Sequence, residues 1–159
     1  MPIPHSLGSE LTAVNIPLLC LKPKLSVIIA QFAFSNDDNE YLPRMYKDEN
    51  CVVYTGSHDA DCTTSWCKKL KGDTLARFKK ECLRLCGGAN RTYAMINLAF
   101  KSIANLAVVP LQDWLLLANE QGRMNTPSVA QGNWVWRAPS DYDNPAIVAR
   151  IKKSTAAAH

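Results

Sequence analysis

The spacing of apolar positions changes along this chain, and each change marks an element. Residues 25–34 (LSVIIAQFAF) form a nearly unbroken β-branched and aromatic run, the pattern of a strand buried on both faces, and a polar loop follows at 35–40. A second run, 51–55, carries Val52 and Val53 and is broken by Gly56 and Ser57. A third, 106–111, is centred on Val108 and Val109 and ends in Gln112 and Asp113. Between the second and third runs the period becomes helical. A helix at 62–70 has Asp61 placed to cap it. Another opens at Gly72 and Asp73, sets Leu75, Phe78, Cys82 and Leu85 on one face, and closes at Gly87 and Gly88. A third, capped by Thr92, aligns Tyr93, Ile96, Phe100 and Ile103, while Ala94, Ala99 and Ala104 permit close packing on a sheet.

Beyond residue 111 the pattern predicts a short helix at 114–118 and a long polar loop at 119–131. It also predicts a last helix with Asn144 as cap and Pro145 in its first position. Residues 1–23 keep no period, because Pro2, Pro4, Pro17 and Pro23 interrupt them; a short helix fits only at 9–15. The order of elements predicts an α/β fold with a parallel sheet crossed by helices. Three strands leave two open edges and cannot close a barrel, so the pattern predicts part of a larger fold, poorly soluble or self-associating through those edges.

Composition narrows the function. The chain has 159 residues, 47% apolar and 20% charged, which is enough for one globular core. The net charge is +4, and Lys68, Lys69, Lys71, Arg77, Lys79, Lys80 and Arg84 lie on or beside one helix without interleaved aromatics. That arrangement predicts a solvated face and no nucleic-acid partner. The six cysteines include no Cys-x-x-Cys pair, and His58 is the one histidine away from the termini, so neither a metal nor another cofactor is expected. Cys82 and Cys86 read as small core residues, the thiols as reduced and the compartment as intracellular. The longest apolar run is interrupted by Ser26 and Gln31 and is too short for a membrane span. The N-terminus lacks the charged-then-apolar pattern of a secretory signal.

The candidate chemistry lies at 51–66, where a strand runs into a polar turn with His58, Asp59 and Asp61. The C-terminal ends of parallel strands are where α/β folds place their reactive groups. Taken alone, the stretch reads equally as a helix cap beside a solvated histidine.

Four stretches together resolve this by resemblance. They are QFAF at 31–34 with YLP at 41–43; VYTGSHDAD at 53–61 with Thr63 and Trp66; ANLAVVPLQD at 104–113; and RMNTP at 123–127 with GNWVWR at 132–137. In order and spacing they resemble the C-terminal third of the 4-α-glucanotransferases, the amylomaltases or disproportionating enzymes of glycoside hydrolase family 77. The resemblance implies the part of a TIM (β/α)8 barrel around its sixth to eighth strands, over residues 1–159, with 1–23 as a poorly defined N-terminal segment. It also implies retaining transfer of 1,4-linked glucan segments between maltooligosaccharides, with an aspartate nucleophile, a glutamate acid/base and a sugar-orienting aspartate. The third role falls on Asp59, with His58 beside it. A carboxylate bonded to vicinal hydroxyls strengthens its hold as the ring flattens toward an oxocarbenium ion, and its charge raises the pKa of a neighbouring acid. Tyr54, Gln112, Asp113, Asn125 and Pro127 match the family's substrate-binding positions. Trp134 and Trp136 read as packing residues, with stacking on a sugar as the alternative, and Arg137 as a structural partner of the barrel.

The sequence departs from the family in four respects. Ser57 and Ala60 replace a threonine and an asparagine of the motif. HSLG at 5–8 stands where the family carries its acid/base, and Glu10 is offset from that place. The Pro-Gly turn is altered at Pro23 and Lys24, and no nucleophile region aligns. A retaining transferase needs both groups, so the chain is expected to be a fragment, inactive alone. The alternatives are a degenerate glucan-binding remnant or an interaction module using the Lys-rich helix. The resemblance implies a cytoplasmic protein, or a plastid one if a transit peptide precedes it.

Overall fold

The computed structural model describes residues 25–85 and 90–157. The expectations for residues 1–23, including Glu10, the HSLG stretch and the 9–15 helix, lie outside the described residues, as do Cys86 and the Gly87 and Gly88 cap.

Three parallel strands form the sheet. β1 (Ser26–Ile29) and β3 (Leu106–Val108) flank β2 (Cys51–Tyr54), and the register sets Ile28 beside Val53 and Val53 beside Ala107. Because side chains alternate along a strand, Ile28, Val53 and Ala107 share the face that meets the helices. Val27, Val52 and Leu106 share the other face. On it Val27 is 58% and Leu106 56% exposed, although Val52 between them is buried. Among the described residues, one face of the sheet is therefore covered by helices, and the other leaves its two outer strands exposed.

Both outer strands depart from the sequence expectation. The run at 25–34 is a strand for only four residues and then turns into a 3-10 helix, Ala30–Phe32. Its later apolar residues reach the core from this turn, with Ala33 and Phe34 fully buried. Gln31 forces the break, because its buried side chain donates Nε2 to the Asp61 carbonyl at 2.9 Å and to Thr63 Oγ1 at 3.3 Å. Nor is β3 the buried six-residue strand expected. It is a short edge strand of exposed and half-buried residues, ended by Pro110 and by the helix that starts at Leu111.

The covering layer is α1 (Thr63–Lys69), α2 (Gly72–Leu85) and α3 (Arg91–Phe100). Phe78 of α2 meets Phe34 at 5.2 Å and Trp66 at 5.8 Å between ring centroids, both edge-on. Such aromatic pairs contribute about 0.5–1.5 kcal/mol each beyond their buried area. Asn90, not Thr92, caps α3: its Oδ1 accepts from Thr92 N at 2.9 Å and Tyr93 N at 3.1 Å. Thr92 lies inside the helix, buried, with its hydroxyl 3.0 Å from that of Thr64. Ile103 falls beyond the helix and is exposed; Ala94, Met95, Leu98 and Ala99 supply the buried face.

On α1, α2 and the two-residue link between them, Lys68, Lys69, Lys71, Lys79, Lys80 and Arg84 are exposed. Arg77 is half-buried and pairs with Asp37. Buried Glu81 is held by Arg44 and Arg84. Two short helices follow β3: α4 (Leu111–Trp114), three residues earlier than expected, and α5 (Asn119–Gly122), inside the expected loop. The last helix, α6 (Pro145–Ala156), starts as its sequence predicts, with Asn144 Oδ1 accepting from Ala146 N and Ile147 N.

Candidate functional site

The turn between β2 and α1 rests on a carboxylate from the far side of the site. Asp113 of α4 accepts Thr55 Oγ1 at 2.5 Å and Thr63 Oγ1 at 2.7 Å on Oδ2, and the Thr63 backbone N–H at 3.0 Å on Oδ1. It is 2% exposed. Burial pushes its carboxyl above the ordinary range, opposed by the bonds from Thr55 and Thr63. Asp113, expected as a substrate contact, fixes the end of β2 to the start of α1 and also lines the pocket that Gln112 borders.

Asp113 also takes over the task expected of Asp61. The residue preceding α1 is Cys62, and no side chain caps it locally. Asp61 is instead the centre of a polar cluster, accepting Asn119 Nδ2 at 2.7 Å and Arg123 Nη1 at 2.6 Å on Oδ1, and Lys69 Nζ at 2.6 Å on Oδ2. Burial acts to raise its carboxyl, but the bonds from Lys69 and Asn119, the Lys69 charge and the Arg123 bond hold it below the ordinary range. Asn119 closes the cluster by accepting the Cys62 N–H at 2.8 Å. A side chain at 56 would displace the Gln31 amide from its bonds to Asp61 and Thr63, since a Cβ there would lie 2.6 Å from Gln31 Nε2.

Above this base the rim of the turn is open to solvent. His58 and Asp59 are exposed, with His58 Nε2 3.3 Å from Asp59 Oδ2. Asn125 donates Nδ2 to Asp59 Oδ1. Arg123 ties the two segments of the rim, donating Nε to the Asn125 carbonyl at 2.9 Å and Nη2 to the Asp59 carbonyl at 3.3 Å. The Trp134 ring lies 5.0 Å from that of His58. Between rim and base is a pocket of about 150 Å³ bordered by Gly56, His58, Asp61, Cys62, Gln112 and Met124. Burial pushes the Cys62 thiol up to about 11, so it is protonated and inert at neutral pH.

The sequence-predicted residues therefore divide. His58, Asp59 and Asn125 meet at the rim, Gln112 borders the pocket, and half-buried Tyr54 ends β2. Pro127 is exposed on the loop beyond Asn125. Trp136 is half-buried and donates Nε1 to the Gln121 carbonyl at 2.9 Å. Trp134, expected to pack, is 57% exposed. Arg137, expected to brace the barrel, is exposed and donates to the adjacent Trp136 carbonyl. Arg123 and Asn119 received no role from the sequence, because the residue that gives them one, Asp61, is 62 and 58 positions away. Among the described residues no group of His, Cys, Asp and Glu side chains could hold a metal ion. Among them, too, no helix is long and apolar enough to cross a membrane.

Parallel strands backed by helices on one face, with polar side chains on the turns beyond the strands' C-terminal ends, define a segment of an α/β barrel wall. The family model described as 4-alpha-glucanotransferase, glycoside hydrolase family 77, matches residues 19–142, and the chain belongs to that family. It is 35% identical over 150 residues to the 4-alpha-glucanotransferase of Synechocystis, covering 87% of this chain and 29% of that one. To the chloroplastic/amyloplastic 4-alpha-glucanotransferase of Arabidopsis thaliana it is 39% identical over 119 residues, covering 73% and 20%. The chain thus spans less than a third of the length of either relative. In fold it matches an amylomaltase from Streptococcus agalactiae solved in complex with acarbose, with a TM-score of 0.75 and 24% identity over 84% of this chain and 27% of that chain.

Proposed function

We propose that this chain carries the sugar-orienting limb of a 4-α-glucanotransferase, which moves 1,4-linked glucan segments between maltooligosaccharides with retention. The observation that carries the reading is the exposed pair of His58 and Asp59 on the turn beyond a parallel strand, met there by half-buried Asn125 from a distant loop. Asp59 takes hydroxyls of the sugar at the bond that breaks, and its hold tightens as positive charge develops on the ring. His58 adds a donor or acceptor to the same hydroxyls, and Asn125 keeps the carboxylate aimed. Tyr54 and Gln112 border the sugar; Asp113 acts beneath them as a positioning residue, and Pro127 shapes the loop.

Retaining transfer also needs a nucleophile and an acid/base. Asp61 and Asp113 do not suit either role, since their oxygens are committed to Lys69, Asn119, Arg123, Thr55 and Thr63. On this reading the chain by itself binds glucan and does not transfer it. No metal or organic cofactor enters this chemistry. The outer edges of β1 and β3 and the open sheet face favour self-association. The cytoplasm suits such a protein, and so does the plastid, for which the Arabidopsis relative is named.

Calorimetric titration with maltoheptaose and incubation with maltotriose test the proposal together. The expected outcome is binding of the first without conversion of the second to glucose and longer glucans. Absence of binding overturns the glucan reading; conversion overturns the claim that the chain alone is inactive.

A further inference from the structure

Trp134 is held in a way that packing does not explain. Its backbone adopts φ +62°, in the left-handed region that an aromatic residue seldom occupies, beside Gly132 at +81°. The loop is built to keep it there. Asn133 Oδ1 accepts the Thr126 N–H at 2.8 Å, Asn133 Nδ2 donates to the Val129 carbonyl at 2.7 Å, and the Trp134 N–H donates to the Met124 carbonyl at 2.8 Å. Yet the indole is left exposed, against the His58 ring at 5.0 Å and an interplanar angle of 42°. Its neighbour Trp136 shows the contrasting case, half-buried with its N–H bonded.

A pyranose presents hydroxyls at its rim and C–H groups on its faces. Asp59, His58 and Asn125 suit the rim, and an exposed aromatic face beside them suits the C–H groups. We infer that Trp134 is the stacking platform of the glucan site, taking the apolar face of a glucose ring while its edge steadies the His58 imidazole. The inference rests on the glucan reading above and adds a specificity-determining residue to it.

Titration of the chain with maltoheptaose, alongside Trp134→Leu, Trp134→Phe and Asp59→Asn, tests it. Loss of the aromatic face in Trp134→Leu is expected to weaken binding about tenfold, whereas Trp134→Phe retains most of the affinity. The tryptophan fluorescence change on adding maltoheptaose is expected in the unsubstituted chain and absent in Trp134→Phe, a readout that does not depend on the leucine variant folding. Unchanged affinity in Trp134→Leu with weakened Asp59→Asn overturns the platform and leaves the glucan reading standing. A full fluorescence change in Trp134→Phe does the same. No binding by the unsubstituted chain overturns both.

Discussion

Two carboxylates two positions apart on one turn live in different worlds. Asp61, in the base, is gripped by a lysine, an arginine and an asparagine and takes no part in the exposed rim. Asp59, in the rim, has one asparagine and one exposed histidine as side-chain partners and otherwise faces water. With Asp113 below, the base spends its charge on holding the backbone, and the rim leaves its charge facing solvent, as the proposed sugar contact requires. A binding group must stay under-satisfied to exchange water for substrate, so its neighbours have to supply the rigidity it lacks.

The contrast is broken or sharpened most by removing Asp113. Asp113→Ala leaves two buried hydroxyls and one backbone N–H without their acceptor, and the expected loss is about 3 kcal/mol or more in urea unfolding followed by circular dichroism. A loss below that observed for Asp61 variants would refute its place at the bottom of the base. Asp61→Asn is expected to cost about 1–2 kcal/mol at neutral pH, because three donors lose a charged partner. Its pH dependence carries the sign. The folded carboxyl lies below its ordinary value, so Asp61 contributes stability above the unfolded pKa that disappears as pH falls through the folded one. The gap between the unsubstituted chain and Asp61→Asn should therefore close toward acid. Asp113 works in the opposite direction: its raised carboxyl favours the fold at low pH and loses that contribution as pH rises.

The smallest stability effect belongs to Asp59→Asn, within about 0.5 kcal/mol, since its site is exposed. The same substitution is expected to weaken maltoheptaose binding and, in a complete enzyme, to lower turnover far more than binding. A destabilisation as large as that of Asp61→Asn would erase the distinction between rim and base.

Much of this was legible in the chain. The parallel strand and helix order follows from apolar runs interrupted by helical spacing, and the Asn144 and Pro145 start of α6 from short-range chemistry alone. The turn bearing His58 and Asp59 was recognisable because its residues are contiguous. The misreadings share a cause. Local sequence marks Asp61 and Thr92 as caps because such residues cap helices wherever their neighbours allow it. The run at 25–34 looked like one long strand because apolar content does not reveal that Gln31 turns inward.

The sequence by itself determined the family, the sheet's direction and the position of the candidate sugar-binding turn, since each is written in local spacing and contiguous motifs. Only the tertiary structure decided which carboxylate stays exposed and which one braces. Arg123 reaches Asp61 across 62 residues, Asn125 reaches Asp59 across 66, and Asp113 reaches Thr63 across 50. A carboxylate's role depends on the donors that surround it and on its exposure to water, and both are set by which distant segments the fold brings alongside.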